Sequence, residues 1–348
     1  VSAVTAPERT FRRRVADLIK RRETSVVVAI VLVVALATSV NSSFAFGRDG
    51  WRNLLLTPSL LVVLAVAQAV VIISKNIDLS VSAVLGLTAY ATGEMFTAWP
   101  SLPIPVVVVV AIAFGSGLGA VNGLLVSRAR VPSLVITLGT LYIFRGLGIA
   151  WVGSAHIKPS DVPDSFERIG IASVLGVPVL TMVAIVVVIV AAFVLGSTRP
   201  GRELYAIGSN EEAADLYGLR VQRRVFFSFV ASGTLAGLAG VMYAARYVMV
   251  DSQAGSGLEL QSVAGAVVGG VAITGGSGTV IGAALGAVLL TTISRALPIV
   301  GVPDFWQQAL VGALIIAAIV LDRVLANRHA RRLVQEREPN VEPAEVAR

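Results

Sequence analysis

The chain has no cysteine among its 348 residues, so neither a disulfide framework nor a thiolate metal site is open to it. Two histidines, His156 and His329, are too few for a histidine-based metal cluster, and no metal site is expected. Lysine is almost as scarce. Lys20, Lys75 and Lys158 are the only ones, and none follows a glycine. A phosphate-binding loop of the form Gly-x-x-x-x-Gly-Lys-[Ser/Thr] is therefore missing, and with it that means of hydrolysing ATP. Charge of either sign is sparse, at 14% of residues against about 25% in a soluble domain.

What fills the chain instead is apolar: 55% of residues are hydrophobic and the mean hydropathy is +0.82. Runs such as 106–113 and 183–194 are continuous and do not alternate at period two. In hydrocarbon every backbone polar group must be satisfied internally, so these runs read as spanning helices of an all-α polytopic membrane protein. Ten spans are expected, at 25–40, 54–74, 79–98, 104–126, 133–151, 174–196, 226–246, 258–274, 279–297 and 306–323. Pro100, Pro103, Pro132, Pro178, Pro200, Pro298 and Pro303 fall at or near the edges, where proline costs a helix least. The eighth span is short and glycine-rich, the composition of a broken or re-entrant segment.

With the N-terminus in the cytoplasm, only Arg48, Arg52, Arg145, Lys158, Arg168, Arg246 and Arg295 of the 28 Lys and Arg fall outside. This bias places both termini and the polar stretch 198–224 in the cytoplasm. It also accounts for the net charge of +7 and the pI of 10.2 without invoking nucleic acid. The basic prefix and the small residues Ala35-Leu36-Ala37 give the first span the look of a signal peptide, but we expect it to be retained. The expected organisation is a basic cytoplasmic segment 1–24, one membrane domain 25–323 with its loop at 198–224, and a disordered tail 324–348. The tail's composition also suits a lipid surface.

The fourth span carries Gly115, Gly119 and Gly123, and the ninth carries Gly278, Gly282 and Gly286. Four-residue spacing puts glycines on one helix face and lets another backbone approach closely. Generic packing explains such rows. So does a 5+5 inverted repeat, because spans four and nine cross in opposite directions. Both rows lead into Ser-Arg-Ala, at 127–129 and 294–296, though at different offsets.

The loop at 198–224 has its own helix signals. Ser209-x-x-Glu212 is a capping-box pattern, and Asn210 is an alternative cap. Glu211 and Glu212 suit a helix N-terminus, and Gly218 suits its end. A helix of about two turns is expected from Asn210 to Tyr217, bearing Ala213, Ala214, Asp215, Leu216 and Tyr217. So short a helix needs a surface to dock on, either the body of the chain or a soluble partner.

Ionisable groups near the spans are few. Glu94 and Glu259 lie near outer ends, where a functional role is favoured, and Arg145 either pairs with Glu94 or reaches for the headgroups. Asp78 reads as a cap for the third span. Asp251 and Asp304 are outer-loop acids, solvated or facing a partner. The scarcity of charge within spans disfavours a proton- or sodium-coupled carrier. Gln68, Asn122, Thr137, Thr140, Gln261 and Ser262 are candidate pathway groups for a hydroxylated solute, each with the alternative of an interhelical hydrogen bond worth about 0.6 kcal/mol.

Between about Leu55 and Asp322 the sequence resembles the permease subunits of bacterial ATP-binding-cassette sugar importers, the group serving ribose, xylose, arabinose, galactose, rhamnose and autoinducer-2. The residues that carry the resemblance are 76–81 (Asn-Ile-Asp-Leu-Ser-Val), 121–126, 137–140, and above all 201–214 continued by 217–219. Further motifs are 267–270, 275–278 and 305–308. The chain departs from the family pattern at Asn76, where a glycine is usual, and at Ser82 or Ala83. The resemblance implies a non-catalytic subunit of the cytoplasmic (inner) membrane that binds no cofactor. It implies a second permease copy or paralogue, an external sugar-binding protein, and cytoplasmic ATPase subunits that use ATP and Mg. Ser209 to Leu216, with Gly218, would then form the coupling helix on which the ATPase pushes. A branched-chain amino-acid permease, a stand-alone secondary carrier and a membrane scaffold are the rival readings.

Overall fold

The computed structural model describes residues 22–47, 49–129, 131–153, 155–247, 249–303, 305–314, 316–317 and 320. Almost all of the expected segments 1–24 and 324–348, and Asp304, lie outside those residues.

Helix α1 (Arg22–Val40) is followed by the short α2 (Ser43–Phe46) and α3 (Gly50–Leu56). Then come α4 (Pro58–Ile73), α5 (Val81–Ala98), α6 (Ile104–Ala129) and α7 (Ser133–Val152). The longest loop at the far end holds α8 (Asp164–Ile171) and a hairpin of β1 (Ser173–Val174) and β2 (Val177–Pro178). After it, α9 (Val179–Ser197) leads into two short helices, α10 (Arg199–Ser209) and α11 (Glu211–Leu216). The chain re-enters the bundle as α12 (Val221–Tyr247), α13 (Leu258–Val268) and α14 (Val280–Ala296), and α15 covers 306–314.

The fold is an all-α polytopic bundle, as expected. Among the described residues, six stretches are long and apolar enough to cross a membrane: Glu23–Val40, Gly50–Ile73, Ile104–Ala129, Ser133–Val152, Val179–Ser197 and Val221–Tyr247. Two expectations of length need correction. The second span starts earlier, at Gly50, with a joint at Thr57 and Pro58. The eighth stops at Val268 instead of running to 274, because Gly269-Gly270 turns the chain at a φ of +98° that favours glycine.

Helix α4 is the axis of the bundle: every residue from Pro58 to Ile73 is buried, and α9, α12, α13 and α14 surround it. By contrast α1 is peripheral and packs mainly on α14. Glycines set the closest approaches. A methyl group on Gly115 would sit 2.7 Å from the Gly233 carbonyl oxygen and from the Gly237 Cα, so α6 and α12 meet backbone to backbone. Gly119 and Gly123 continue that seam against Phe229 and Phe226. Gly282 and Gly286 seat α14 on α13 in the same manner. Gly278 does not belong to that row. It lies outside the helix at φ +125°, and Thr279 caps α14 behind it by accepting from the Gly282 amide at 2.9 Å.

Dropping Gly278 removes the offset between the two rows. Aligning Ser127-Arg128-Ala129 with Ser294-Arg295-Ala296 now superposes Gly115 on Gly282, Gly119 on Gly286, and the last residue of α6 on that of α14. The packing follows the same exchange. Helix α6 lies on α12 as α14 lies on α4; α5 touches α12 and α6 as α13 touches α4 and α14. These are the pairings that two inverted halves related by α4↔α12, α5↔α13 and α6↔α14 require.

Candidate functional site

The polar stretch after α9 folds into a braced elbow. Thr198 caps α10 by accepting from the Gly201 amide at 3.2 Å, with Pro200 in the first turn where a missing N–H costs nothing. The elbow is tied to the bundle at three points. Gly208 sits so close to the end of α4 that a side-chain carbon would overlap the Ile73 carbonyl oxygen, and that oxygen accepts from the Gly276 amide at 2.9 Å. The Tyr205 hydroxyl donates to the Gly278 carbonyl at 3.1 Å. Glu203 is buried and accepts from Arg199 at 2.8 Å and from Arg224 at the start of α12. The Arg224 guanidinium holds the Glu203 carboxyl below its ordinary value against the opposing effect of burial, and Arg199 adds to the lowering.

At the tip, Asn210 caps α11 by accepting from the Ala213 amide at 2.9 Å. Ser209 is the last residue of α10, so the expected Ser209–Glu212 capping box does not form. Gly218, at φ +78°, closes the helix: its amide donates to Asp215 and the Leu219 amide to Ala214, at 2.8 and 3.0 Å. Ala214 faces inward with Val71, Ile207, Val221, Val225 and Phe229, while Ala213 is half-buried. Ser209, Asn210, Glu211, Glu212, Asp215 and Gly218 are exposed. Leu216 and Tyr217 are each 89% exposed, side by side at the apex. The buried position of Ala214 makes it a support for the tip and not part of its outer surface.

The second concentration of polar groups is internal. After α4 the chain reverses through Ser74 and Lys75, with Lys75 at φ +65° where glycine is the usual residue. Asn76 steadies the turn, donating from its side chain to the Ser74 carbonyl at 2.8 Å. Residues 76–80 then fold back into the bundle before α5 starts. Two helices satisfy their backbone, and two more hold their side chains. Gln68 of α4 donates to the Asp78 carbonyl at 2.5 Å, Ser133 of α7 accepts from the Ile77 amide at 3.0 Å, and Thr137 accepts from the Leu79 amide and donates to the Ile77 carbonyl, both at 3.1 Å. Asn122 of α6 donates to the Ser80 hydroxyl at 2.6 Å. The Asp78 carboxylate accepts from the Ser80 amide and hydroxyl at 3.0 and 2.7 Å and from Ser232 of α12 at 2.8 Å. It is the hub of this knot and more than a helix cap.

The candidate pathway residues thus separate. Gln68, Asn122 and Thr137 are fully buried in the knot, and Thr140 donates back to the Thr137 carbonyl at 3.3 Å. Ser262 is buried and bonds the Glu259 carbonyl at 2.8 Å. Gln261 lines open space, a cavity of about 510 Å³ at the end of the bundle away from the elbow. Glu94 lies one turn after Tyr90 in α5, and Arg145 donates to the Ala254 carbonyl at 3.1 Å, so the considered Arg145–Glu94 pair does not form. One oxygen of Glu259 is buried without a hydrogen-bond partner among the described residues. Sequence reasoning missed the Glu203 brace, although Arg199 and Glu203 stand four apart, and it missed the hub role of Asp78.

An apolar helical bundle with a rigid, exposed elbow at one end is the build of a membrane permease. The chain belongs to the permease family described as branched-chain amino acid transport system / permease component, which matches residues 51–319. It is 36% identical over 324 residues to the autoinducer 2 import system permease protein LsrC of Enterobacter sp. (strain 638), covering 92% of this chain and 93% of that one. The corresponding protein of Klebsiella pneumoniae subsp. pneumoniae is 35% identical, covering 92% of each chain. That of Escherichia coli (strain K12 / DH10B) is 32% identical, covering 93% of this chain and 95% of the other. No solved structure matches the chain.

Proposed function

We propose that this permease is the membrane subunit of an ATP-driven importer of a monosaccharide or related furanosyl compound, moved by separate ATPase subunits that grip Asn210–Gly218. The observation that carries the reading is the apex of α11. Two large apolar side chains, 89% exposed, stand on a six-residue helix that an asparagine cap, a glycine terminus and the Glu203 brace hold in place. Apolar groups so presented at the polar end of a membrane bundle suit a soluble partner's groove. The stem of the elbow contacts the end of α4 and the loop before α14, so force applied at the tip passes to both halves of the bundle.

In this reading ATP and Mg belong to the partner ATPase and no cofactor or catalytic group to this chain. The elbow and both termini face the cytoplasm from the bacterial inner membrane, as the distribution of Lys and Arg favours. A second permease copy or paralogue and an extracytoplasmic sugar-binding protein complete the importer. The description of the family mentions amino acids, whereas the relatives that match across nine-tenths of the chain are autoinducer-2 permeases, and the sugar-class reading follows the latter. Co-expression with an ATPase and a sugar-binding protein of this importer class tests it. ATP-dependent uptake of a furanosyl solute that leucine does not inhibit is expected; ATP-dependent uptake of leucine instead would overturn the substrate assignment.

A further inference from the structure

Beside the stem of the elbow, α9 and α12 both pack on α4 and hardly touch each other, which leaves a groove of about 450 Å³ between them. Val186, Val190 and Val194 of α9 face Phe227, Ala231 and Leu235 of α12, and Val70 of the buried α4 forms the floor. Val186 and Val190 are more than half exposed, so the groove opens sideways, toward the surface that hydrocarbon covers. Two hydroxyls lie on the walls, and both are spent within the protein. Ser228 donates to the Val225 carbonyl and Thr234 to the Val230 carbonyl, each at 2.7 Å. A hydroxylated solute finds no partner along these walls.

One end of the groove is charged. Pro200 and Leu204 of α10 and Arg224 of α12 form its mouth. Arg199 and Arg202 flank Pro200 in the first turn of α10, and the Arg223 guanidinium lies 5.8 Å from the ring centre of Phe227. Arg199, Arg202 and Arg223 are all exposed. Glu203 is the only acid in 197–204 and 223–235, so four arginines against one carboxylate leave three positive charges in excess. Along α12 the groove runs from Arg224 to Leu235, eleven residues and about 16 Å at the helical rise of about 1.5 Å. One leaflet of hydrocarbon is about 15 Å deep, half of the bilayer core.

The geometry points to a site for one anionic phospholipid such as phosphatidylglycerol, with an acyl chain in the groove and the phosphodiester among the arginines at its mouth. An apolar slot as deep as a leaflet fits a chain, and basic clusters between membrane helices bind acidic headgroups. Guanidinium groups match phosphate oxygens in pairs. A second copy of the chain would instead lay an apolar helix over these charges and bury them unpaired. The inference is independent of the importer reading, because it needs only the groove, the arginines and an anionic membrane. Its consequence reaches the elbow. Gly201, Leu204 and Arg224 belong both to the groove wall and to the braced stem, so an occupied groove ties α10 to α9 and α12.

Native mass spectrometry of the full-length permease tests the site. The protein is stripped of lipid in a neutral detergent and titrated with phosphatidylglycerol or with phosphatidylcholine of identical chains. One phosphatidylglycerol should bind at least tenfold more tightly than phosphatidylcholine. Arg202→Gln/Arg223→Gln, which spares both bonds to Glu203, should bring the two lipids within threefold of each other. Ala231→Phe, which fills the groove, should weaken both lipids at least tenfold. The arginine pair is exposed and carries the test if the phenylalanine disturbs packing. Millimolar glycerol phosphate should not displace the lipid; displacement would reduce the site to a phosphate pocket and overturn the assignment. Equal affinity for the two lipids in the unsubstituted chain, or a phosphatidylglycerol preference that survives the arginine substitutions, would also overturn it. So would a dimer that forms without lipid and is broken by Ala231→Phe, which would give the groove to a second copy.

Discussion

Replacing Leu216 and Tyr217 together by alanine should detach the ATPase and leave the membrane bundle intact. Both side chains are 89% exposed, so burial in a partner's groove would remove nearly their whole apolar surface from water. Burying a leucine-sized side chain contributes about 1.5–3 kcal/mol. The lower value, taken for each, gives about 3 kcal/mol for the pair. At about 1.4 kcal/mol per tenfold, the dissociation constant should rise roughly 150-fold. The chain's own stability should change little, because exposed positions away from caps and cores usually contribute within about 0.5 kcal/mol. The assay is biolayer interferometry of purified ATPase on permease nanodiscs, with the permease melting temperature measured in parallel. A dissociation constant within threefold of the unmodified value, at unchanged melting temperature, would refute the argument. Ala214→Trp is no substitute for this pair, since Ala214 is buried beneath the helix and an indole there would disrupt the elbow itself.

Three further outcomes are expected. Asn210→Ala removes the bond to the Ala213 amide and should cost about 1 kcal/mol, read as faster hydrogen exchange confined to 211–218, with Asn210→Asp restoring protection. Gly115→Ala places a methyl group 2.7 Å from the α12 backbone and should destabilise the bundle by about 1–3 kcal/mol. Gly117→Ala on the same helix meets open space and should be neutral or slightly stabilising in a thermal melt. Glu203 has a lowered pKa in the folded chain, so its contribution is complete above the ordinary carboxylate value of 4.5 and is lost as pH falls through the lower folded value. Proteolytic resistance of the elbow should therefore be flat from neutral pH to about 5 and fall only in stronger acid. Glu203→Gln should weaken it throughout that range.

Much of this architecture was readable before any coordinates. Apolar runs bounded by proline and glycine located the helices, because desolvated backbone has few alternatives. Asn210 and Gly218 delimited α11 because caps are local chemistry. What failed was non-local. Ser209 looked like a cap but ends the preceding helix, a role decided by α10 packing against α4. Gly278 counted as a row member until the turns at Gly275, Gly276 and Gly278 placed it outside α14. Gln68, Asn122 and Thr137 have the same side-chain chemistry as pathway groups, and only their convergence on residues 76–80 reveals that they tie down a broken segment. Conversely, the residues of the cavity that Gln261 lines come from five distant segments and carry no local pattern that would collect them.

Reconstitution in liposomes tests the central claim most directly. With ATPase inside and loaded binding protein outside, the complex should accumulate radiolabelled solute only when ATP is supplied, and Leu216→Ala/Tyr217→Ala complexes should not. Concentrative uptake by this chain alone, driven by an ion or voltage gradient without ATP, would contradict it.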